Sequence, residues 1–307
     1  MIEHALVVAT QVLTLFLLMG IGFLLAKKKI LTETGVSQIS FLLLNIVTPC
    51  IIVDTLQTDM NPNLLLNLGY CAAACLFMFA VGIALSHLVF RKYPDDQRLP
   101  LRFGIIYNNT GYMGLPLVQA VLGDDALIYA AIAVVAFNVI AWTHGAALMG
   151  GREAISIRKA LINPGTVGLV IGLPLFLLSI RLPSFLGSAV HTVGSLNTPL
   201  AMIVIGTYMA SADLKRTFLR RDLYLASAIK LLLIPAIMLV ALLPFHLDRL
   251  VYVTCVVLAS APTAGMTSLF SSRFHRDSVC GSQLVSLCTL LSILTMPVFA
   301  AVAESLV

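Results

Sequence analysis

The residues with the most chemical potential are amides and hydroxyls set beside proline and glycine inside otherwise apolar sequence. In YNNTGYMGLPL, Asn108, Asn109, Thr110 and Tyr112 surround Gly111, and Gly114 and Pro116 follow closely; in ASAPTAGMTSLF, Pro262 and Thr263 stand just before Gly265. Proline removes a backbone donor and clashes with the preceding turn, while glycine adds conformational freedom. The chain is therefore expected to unwind at Gly111, Gly114 and Pro116 in one place and at Pro262 and Gly265 in the other. Unwinding frees N–H and C=O groups, which in apolar surroundings survive only where they line a polar cavity. A half-helix that restarts after such a break carries about half a positive charge at its N-terminus, and a carboxylate suits that place. Pro174, Pro235 and Pro297, alone in apolar runs, read as simple kinks.

Other side chains join this set. Lys230, in IKLLLIP, is a cation near the centre of an apolar run, where such a group is retained either for a substrate or as a tie to backbone carbonyls. Asn138, in AFNVIAWTHG, can orient a carboxylate without adding charge, or can serve as a hydrogen-bonding link between helices. The candidate substrate-binding residues are Asn108, Asn109, Thr110, Tyr112, Asn138, Lys230, Pro262 and Thr263, with Ser260 as further lining. Asn45 and Asn197 sit beside Pro49 and Pro199 as caps of breaks in their own helices. His144 reads as a buried, hydrogen-bonded imidazole and Trp142 as an interfacial anchor. None of the 14 carboxylates falls squarely within an apolar run, Asp54 coming closest. A carboxylate proton relay is thus not evident, although carbonyls and hydroxyls could hold sodium; proton or sodium coupling stays open, and no other cofactor or metal is expected. The six cysteines show no paired C-x-x-C spacing and read as small buried hydrophobes.

These residues need an apolar frame. The 307-residue chain is 59% hydrophobic and only 11% charged, with a mean hydropathy of +0.99, so most of it is not built for water. Apolar runs fall at 5–26, 36–57, 63–90, 101–122, 125–149, 161–181, 186–210, 222–244, 249–271 and 278–303, each about long enough to cross the roughly 30 Å hydrocarbon layer as a helix. No ten-residue alternation of an outer-membrane barrel is present, so the predicted class is an all-α membrane protein of ten transmembrane helices. The start lacks a basic segment before its apolar run and reads as a retained first helix with its N-terminus outside. On that topology both termini are outside. Sixteen of the 19 basic residues, in clusters at 27–29, 91–102, 152–159, 215–221 and 273–276, then fall in inside loops, against only Arg181 and Arg249 outside. The same clustering accounts for the net charge of +5 without a nucleic-acid partner.

Five runs in each half make a duplicated unit sit upside down relative to its twin. Pro49 and Pro199, each preceded by Asn, stand 150 residues apart, and Pro116 and Pro262 stand 146 apart. The expected organisation is a first five-helix repeat at 1–150 and a second, inverted one at 151–307, with scaffold-helix breaks at Pro49 and Pro199.

The motif Asn109-Thr110-x-x-Met113-Gly114-x-Pro116-Leu117, joined by Ala261-Pro262-x-x-Gly265, resembles the auxin efflux carrier family, which includes plant auxin exporters and bacterial malonate or malate carriers. The similarity extends to the first two runs with their basic loop and to the Lys230–Pro235 stretch. The resemblance implies two inverted repeats with two broken, crossing helices, a fold shared with bile-acid and sodium/proton carriers. It also implies an elevator-like division into a scaffold (about 1–57 and 161–210) and a transport unit (about 63–149 and 222–303). The short stretch at 150–160 matches the bacterial branch, hence a bacterial inner membrane. LNLGYCAAACLFMFAVG lacks the acidic and basic residues that plant members carry in their third helix. The function implied is a secondary active transporter of a small organic anion, a mono- or dicarboxylate. The rivals are a transporter-like sensor or a channel, and more remotely an intramembrane enzyme. No H-E-x-x-H, G-x-S-x-G or mid-span aspartate pair supports an enzyme, and no G-x-x-x-x-G-K-[ST] loop supports an ATP-driven pump. Small residues on several helices allow tight packing within the chain or a homodimer face.

Overall fold

The computed structural model describes residues 2–59, 62–211 and 217–307, with the side chains of 2–9, 11, 12 and 211 left aside. Lys215 and Arg216, counted above in an inside loop, lie outside the described residues. Helices occupy each apolar run: α1 (Ile2–Lys27), α2 (Glu33–Thr55), α3 (Pro62–Leu88), α4 (Asp95–Ile106), α5 (Thr110–Leu122), α6 (Asp124–Gly150), α7 (Pro164–Leu177), α8 (Ser184–Gly194), α9 (Asn197–Ser211), α10 (Arg221–Phe245), α11 (Arg249–Ser260), α12 (Met266–Arg273) and α13 (Ser278–Ser305). No strand occurs among the described residues, only an isolated antiparallel bridge between Asn108 and Thr263. Six stretches, namely α2, α3, α6, α8 with α9, α10 and α13, are long and apolar enough to cross a membrane.

Polar side chains mark where several helices start. Asn163 caps α7 by accepting from Thr166 N at 3.0 Å, with Pro164 in the first turn, and Asp277 caps α13 by accepting from Cys280 N at 2.8 Å. The outer surface is aliphatic: Leu294 is 73% exposed and Phe185 71%, a coat that suits lipid and would be costly in water.

Two groups of helices pack closely among themselves. α1 lies on α9 and α2 lies on α7 and α8. These contacts are backbone-close: a Cβ on Gly206 would fall 2.0 Å from Met19 O, and one on Gly168 would fall 3.0 Å from Pro49 O. In hydrocarbon, where the solvent is as apolar as leucine, such small-residue contacts supply dispersion that bulkier residues would prevent. The second group is α3 to α6 with α10 to α13, where α11 packs on α13 and α3, and α3 packs on α6. Its centre holds the fully buried Phe79, Phe103, Tyr107, Tyr252 and Phe270.

The expected breaks at Pro49 and Pro199 need correction. At Pro49 the chain widens into a π turn at Leu43–Val47 and remains helical through Thr55, because the proline sits at the start of the next helical stretch where its missing N–H matters least. Pro199 lies in the first turn of α9, after a turn at Ser195 and Leu196, so it follows the interruption.

Candidate functional site

The polar centre is built where α4 gives way to α5 and α11 gives way to α12. α4 ends at Ile106; Tyr107 is extended, and α5 begins at Thr110 with a π turn, Thr110–Gly114, before regular helix from Leu115. The unwound residues are thus Tyr107, Asn108 and Asn109. Gly111, Gly114 and Pro116 were expected to mark this break but instead form the start of α5, since proline is tolerated in a first turn. In the second half the interruption runs from Ala261 to Gly265, which contains Pro262 and ends on Gly265 as the N-cap of α12.

The two unwound segments satisfy each other. Asn109 N donates to Pro262 O at 2.7 Å and Ala264 N donates to Tyr107 O at 2.9 Å. This short two-stranded pairing accounts for backbone groups that an isolated break would leave bare. Side chains tie off more. Asn108 Nδ2 donates to Leu258 O at 2.6 Å, near the C-terminus of α11. Thr263 Oγ1 donates to Gly104 O at 2.9 Å, near the C-terminus of α4, and lies 3.2 Å from Cys288 Sγ. Asn109 Oδ1 accepts from Tyr112 N at 3.2 Å, capping α5.

With both C-terminal ends so occupied, the N-terminal ends of α5 and α12 remain as the adaptable groups. A Cβ added at Gly111 or Gly265 would meet nothing within 4 Å, whereas one at Gly114 would come within 2.7 Å of Leu258 Cδ2. The first turns of both half-helices therefore border open space, and helix N-termini favour anions.

The remaining predicted residues divide. Thr110 and Pro262 are buried in the pairing itself. Tyr112 reaches Ser40 of α2, which lies 3.2 Å from the Tyr208 hydroxyl of α9, so it links the break to the other helix group. Lys230 is 0% exposed in the π turn Ile229–Leu233 of α10, and its Nζ has no hydrogen-bond partner. Asn138 donates to Val134 O at 2.9 Å on its own helix, and its amide lies 3.3 Å from the Cβ position of Gly165 in α7. The described contacts thus place it between α6 and α7 and not at the paired segments. Asn45 likewise bonds its own helix, at Phe41 O. His144 Nδ1 lies 2.9 Å from the Tyr107 hydroxyl, the hydrogen-bonded histidine expected. Trp142, read as an interfacial anchor, is gripped between protein groups: Phe270 stacks edge-on at 5.0 Å and Lys159 Nζ sits 4.9 Å from the ring centroid.

Sequence reasoning missed two features. A cavity of about 500 Å³, lined by Asp54, Gln119, Asp124, Asp125 and His191 among others, opens where α2 and α8 face α5, α6 and α11. In it His191 Nδ1 lies 2.9 Å from Asp54 Oδ2, and Gln119 accepts from Thr198 Oγ1 at 2.9 Å. Asp54 was noticeable as the carboxylate nearest an apolar run, but nothing local pairs it with a histidine 137 residues away. The second is Tyr107, whose carbonyl accepts from Ala264 N in the pairing while its hydroxyl bonds Ile140 O and His144 of α6; its position beside Asn108 was the available signal.

The chain is 26% identical over 244 residues to a Rhizobium meliloti protein provisionally named a malonate transporter, covering 76% of this chain and 74% of that one. It is 20% identical over 297 residues to an uncharacterized transporter of Methanothermobacter thermautotrophicus, covering 95% and 97%. The family model described as "Membrane transport protein" matches residues 7–155 and 153–300. Broken helices paired at their unwound segments, an aliphatic surface and a match along nearly the whole chain converge: the protein is a multi-pass membrane protein belonging to the membrane transport protein (auxin efflux carrier) family.

Proposed function

We propose that this protein is a secondary carrier of a small organic anion, a mono- or dicarboxylate, bound where the first turns of α5 and α12 meet. The observation that carries this reading is the pairing of Asn109 with Pro262 and of Tyr107 with Ala264, which brings two helix N-termini together beside the open space at Gly111 and Gly265. A carboxylate there accepts from first-turn N–H groups and meets the half charge of each helix. Asn109 holds the α5 turn in shape through Tyr112 N, so the donors are fixed before the anion arrives. Lys230 supplies the one cation buried nearby among the described residues.

The same reading takes the fold as ten spans in two inverted repeats, with α4–α5 and α11–α12 as the broken, crossing helices. α1, α2 and α7 to α9 form the scaffold, and α3 to α6 with α10 to α13 form an elevator-type transport unit. The backbone-close packing of the first group suits a rigid frame. The interface between the groups holds the cavity of about 500 Å³ and few polar ties, among them Gln119 with Thr198 and Tyr112 with Ser40. An interface of that kind can slide at small cost, which alternating access requires. The proposed setting is a bacterial inner membrane with both termini outside.

The test is uptake of radiolabelled malonate, malate and indole acetate into liposomes containing the purified protein, compared with Asn109→Ala. Saturable uptake and exchange of at least one anion, lost in the variant, is expected. Ohmic current would make the protein a channel, and anion binding without flux would make it a sensor; either outcome overturns the carrier.

A further inference from the structure

Lys230 presents a problem that the anion site alone does not solve. Its side chain is fully buried, and its Nζ finds no acceptor. The π turn that carries it packs against α4, α11 and α13 as well as the flanking turns of α10. Most charged groups on those helices are committed elsewhere. On α4, Asp95 pairs with Arg98, Asp96 with Arg276, and Arg102 donates to the carbonyls of His87 and Val89. Arg249 of α11 pairs with Glu304 of α13, and at the start of α10 Asp222 pairs with Arg220. The thiol of Cys288 on α13 lies 3.2 Å from Thr263 Oγ1 and 3.2 Å from Ser227 Oγ on α10. Through Ser227, Cys288 and Thr263, the helix that carries Lys230 is thus linked to the paired segments.

An ammonium in such a place has no counter-charge while the site is empty, and an isolated buried ion is far costlier than either its neutral form or a pair. A carboxylate arriving at the half-helix N-termini supplies the missing negative charge. Anion and proton therefore favour each other's binding, and the coupling is reciprocal. No Asp or Glu falls squarely within an apolar run, and the fully buried amine of Lys230 is a group that can carry a proton there.

We propose that Lys230 carries the coupling proton: its ammonium form accompanies the bound carboxylate across the membrane, and its free amine returns with the empty site, giving symport of one proton per substrate. The proton is taken from water on one side, R–NH2 becoming R–NH3+, and is given back on the other, so no further reactant is needed. The proposal rests on the carrier reading, and its test is arranged to separate the two.

Proteoliposomes are loaded with the pH dye pyranine, the membrane potential is clamped at zero with potassium and valinomycin, and malonate, malate or indole acetate is added outside. Exchange of labelled for unlabelled anion, measured in parallel with no pH gradient, tests the carrier reading by itself. The expected result is internal acidification stoichiometric with uptake, and accumulation rising about tenfold per pH unit of inward gradient. Lys230→Arg, which keeps the charge permanently, and Lys230→Met, which removes it, should both lose gradient-driven accumulation and acidification. If the wild type exchanges an anion with no acidification, or if Lys230→Arg still accumulates it against a gradient, the proton assignment is overturned while the carrier stands. If the wild type exchanges none of the anions, both fall. Should neither variant fold, the wild-type acidification decides.

Discussion

The two interruptions reach the same result by different means. Between α4 and α5 the chain unwinds over Tyr107–Asn109 without a proline in the gap, and a side chain, Asn109, caps the new helix. Between α11 and α12 the gap contains Pro262, and Gly265 caps α12 with no side-chain bond. One half uses amides that can adjust their donors and acceptors; the other uses a residue whose fixed φ and missing N–H enforce the break covalently. An amide can be removed with the break still present, whereas the proline is part of the backbone path. The first segment is therefore the more adaptable partner and the second the rigid one.

Substitutions can break this contrast. The largest expected effect is at Asn109: Asn109→Ala removes the cap of α5, costing about 1 kcal/mol in stability, and should lower anion uptake by a factor on the order of 100 because the N–H groups of α5 lose their fixed direction. Next, Gly111→Val and Gly265→Val add side chains to open space, so thermal unfolding in detergent should shift little while uptake drops roughly tenfold or more from occupied volume. Gly114→Val, whose added Cβ would stand 2.7 Å from Leu258 Cδ2, should destabilise the protein instead, by about 1–3 kcal/mol. Thr263→Val in the rigid segment removes the hydrogen bond to Gly104 O and should cost about 1–2 kcal/mol with a smaller loss of uptake than Asn109→Ala. The smallest effect is expected at Asn138, whose amide serves its own helix: Asn138→Ala should change the uptake KM by less than about threefold. A larger shift there would bring α6 into the site.

Much of this was legible because apolar runs and basic clusters are local signals: α3, α6, α10 and α13 begin and end within a few residues of the runs that predicted them. The breaks were found in the right helices but displaced in the first half. Proline and glycine report where a new helix is tolerated, and the gap itself lies upstream, at Tyr107–Asn109. The same logic explains Pro49 and Pro199, which follow a widened turn and a short turn. Asn138 was misplaced because a residue type does not say which neighbour a helix face will meet. Asp54 with His191, and Cys71 Sγ lying 3.9 Å from Cys255 Sγ, join residues far apart in sequence; only the packing of α2 on α8 and of α3 on α11 brings them together.

The central claim, that a carboxylate binds between the starts of α5 and α12, is tested most directly by substrate protection. Gly111→Cys and Gly265→Cys are made separately with Cys50→Ser, since the other native cysteines are buried, and their labelling by a water-soluble maleimide is followed with and without the transported anion. Both cysteines should label, and the anion should slow both reactions. Labelling of both that the anion leaves unchanged, in protein that still exchanges that anion, would contradict the account and put the binding site elsewhere.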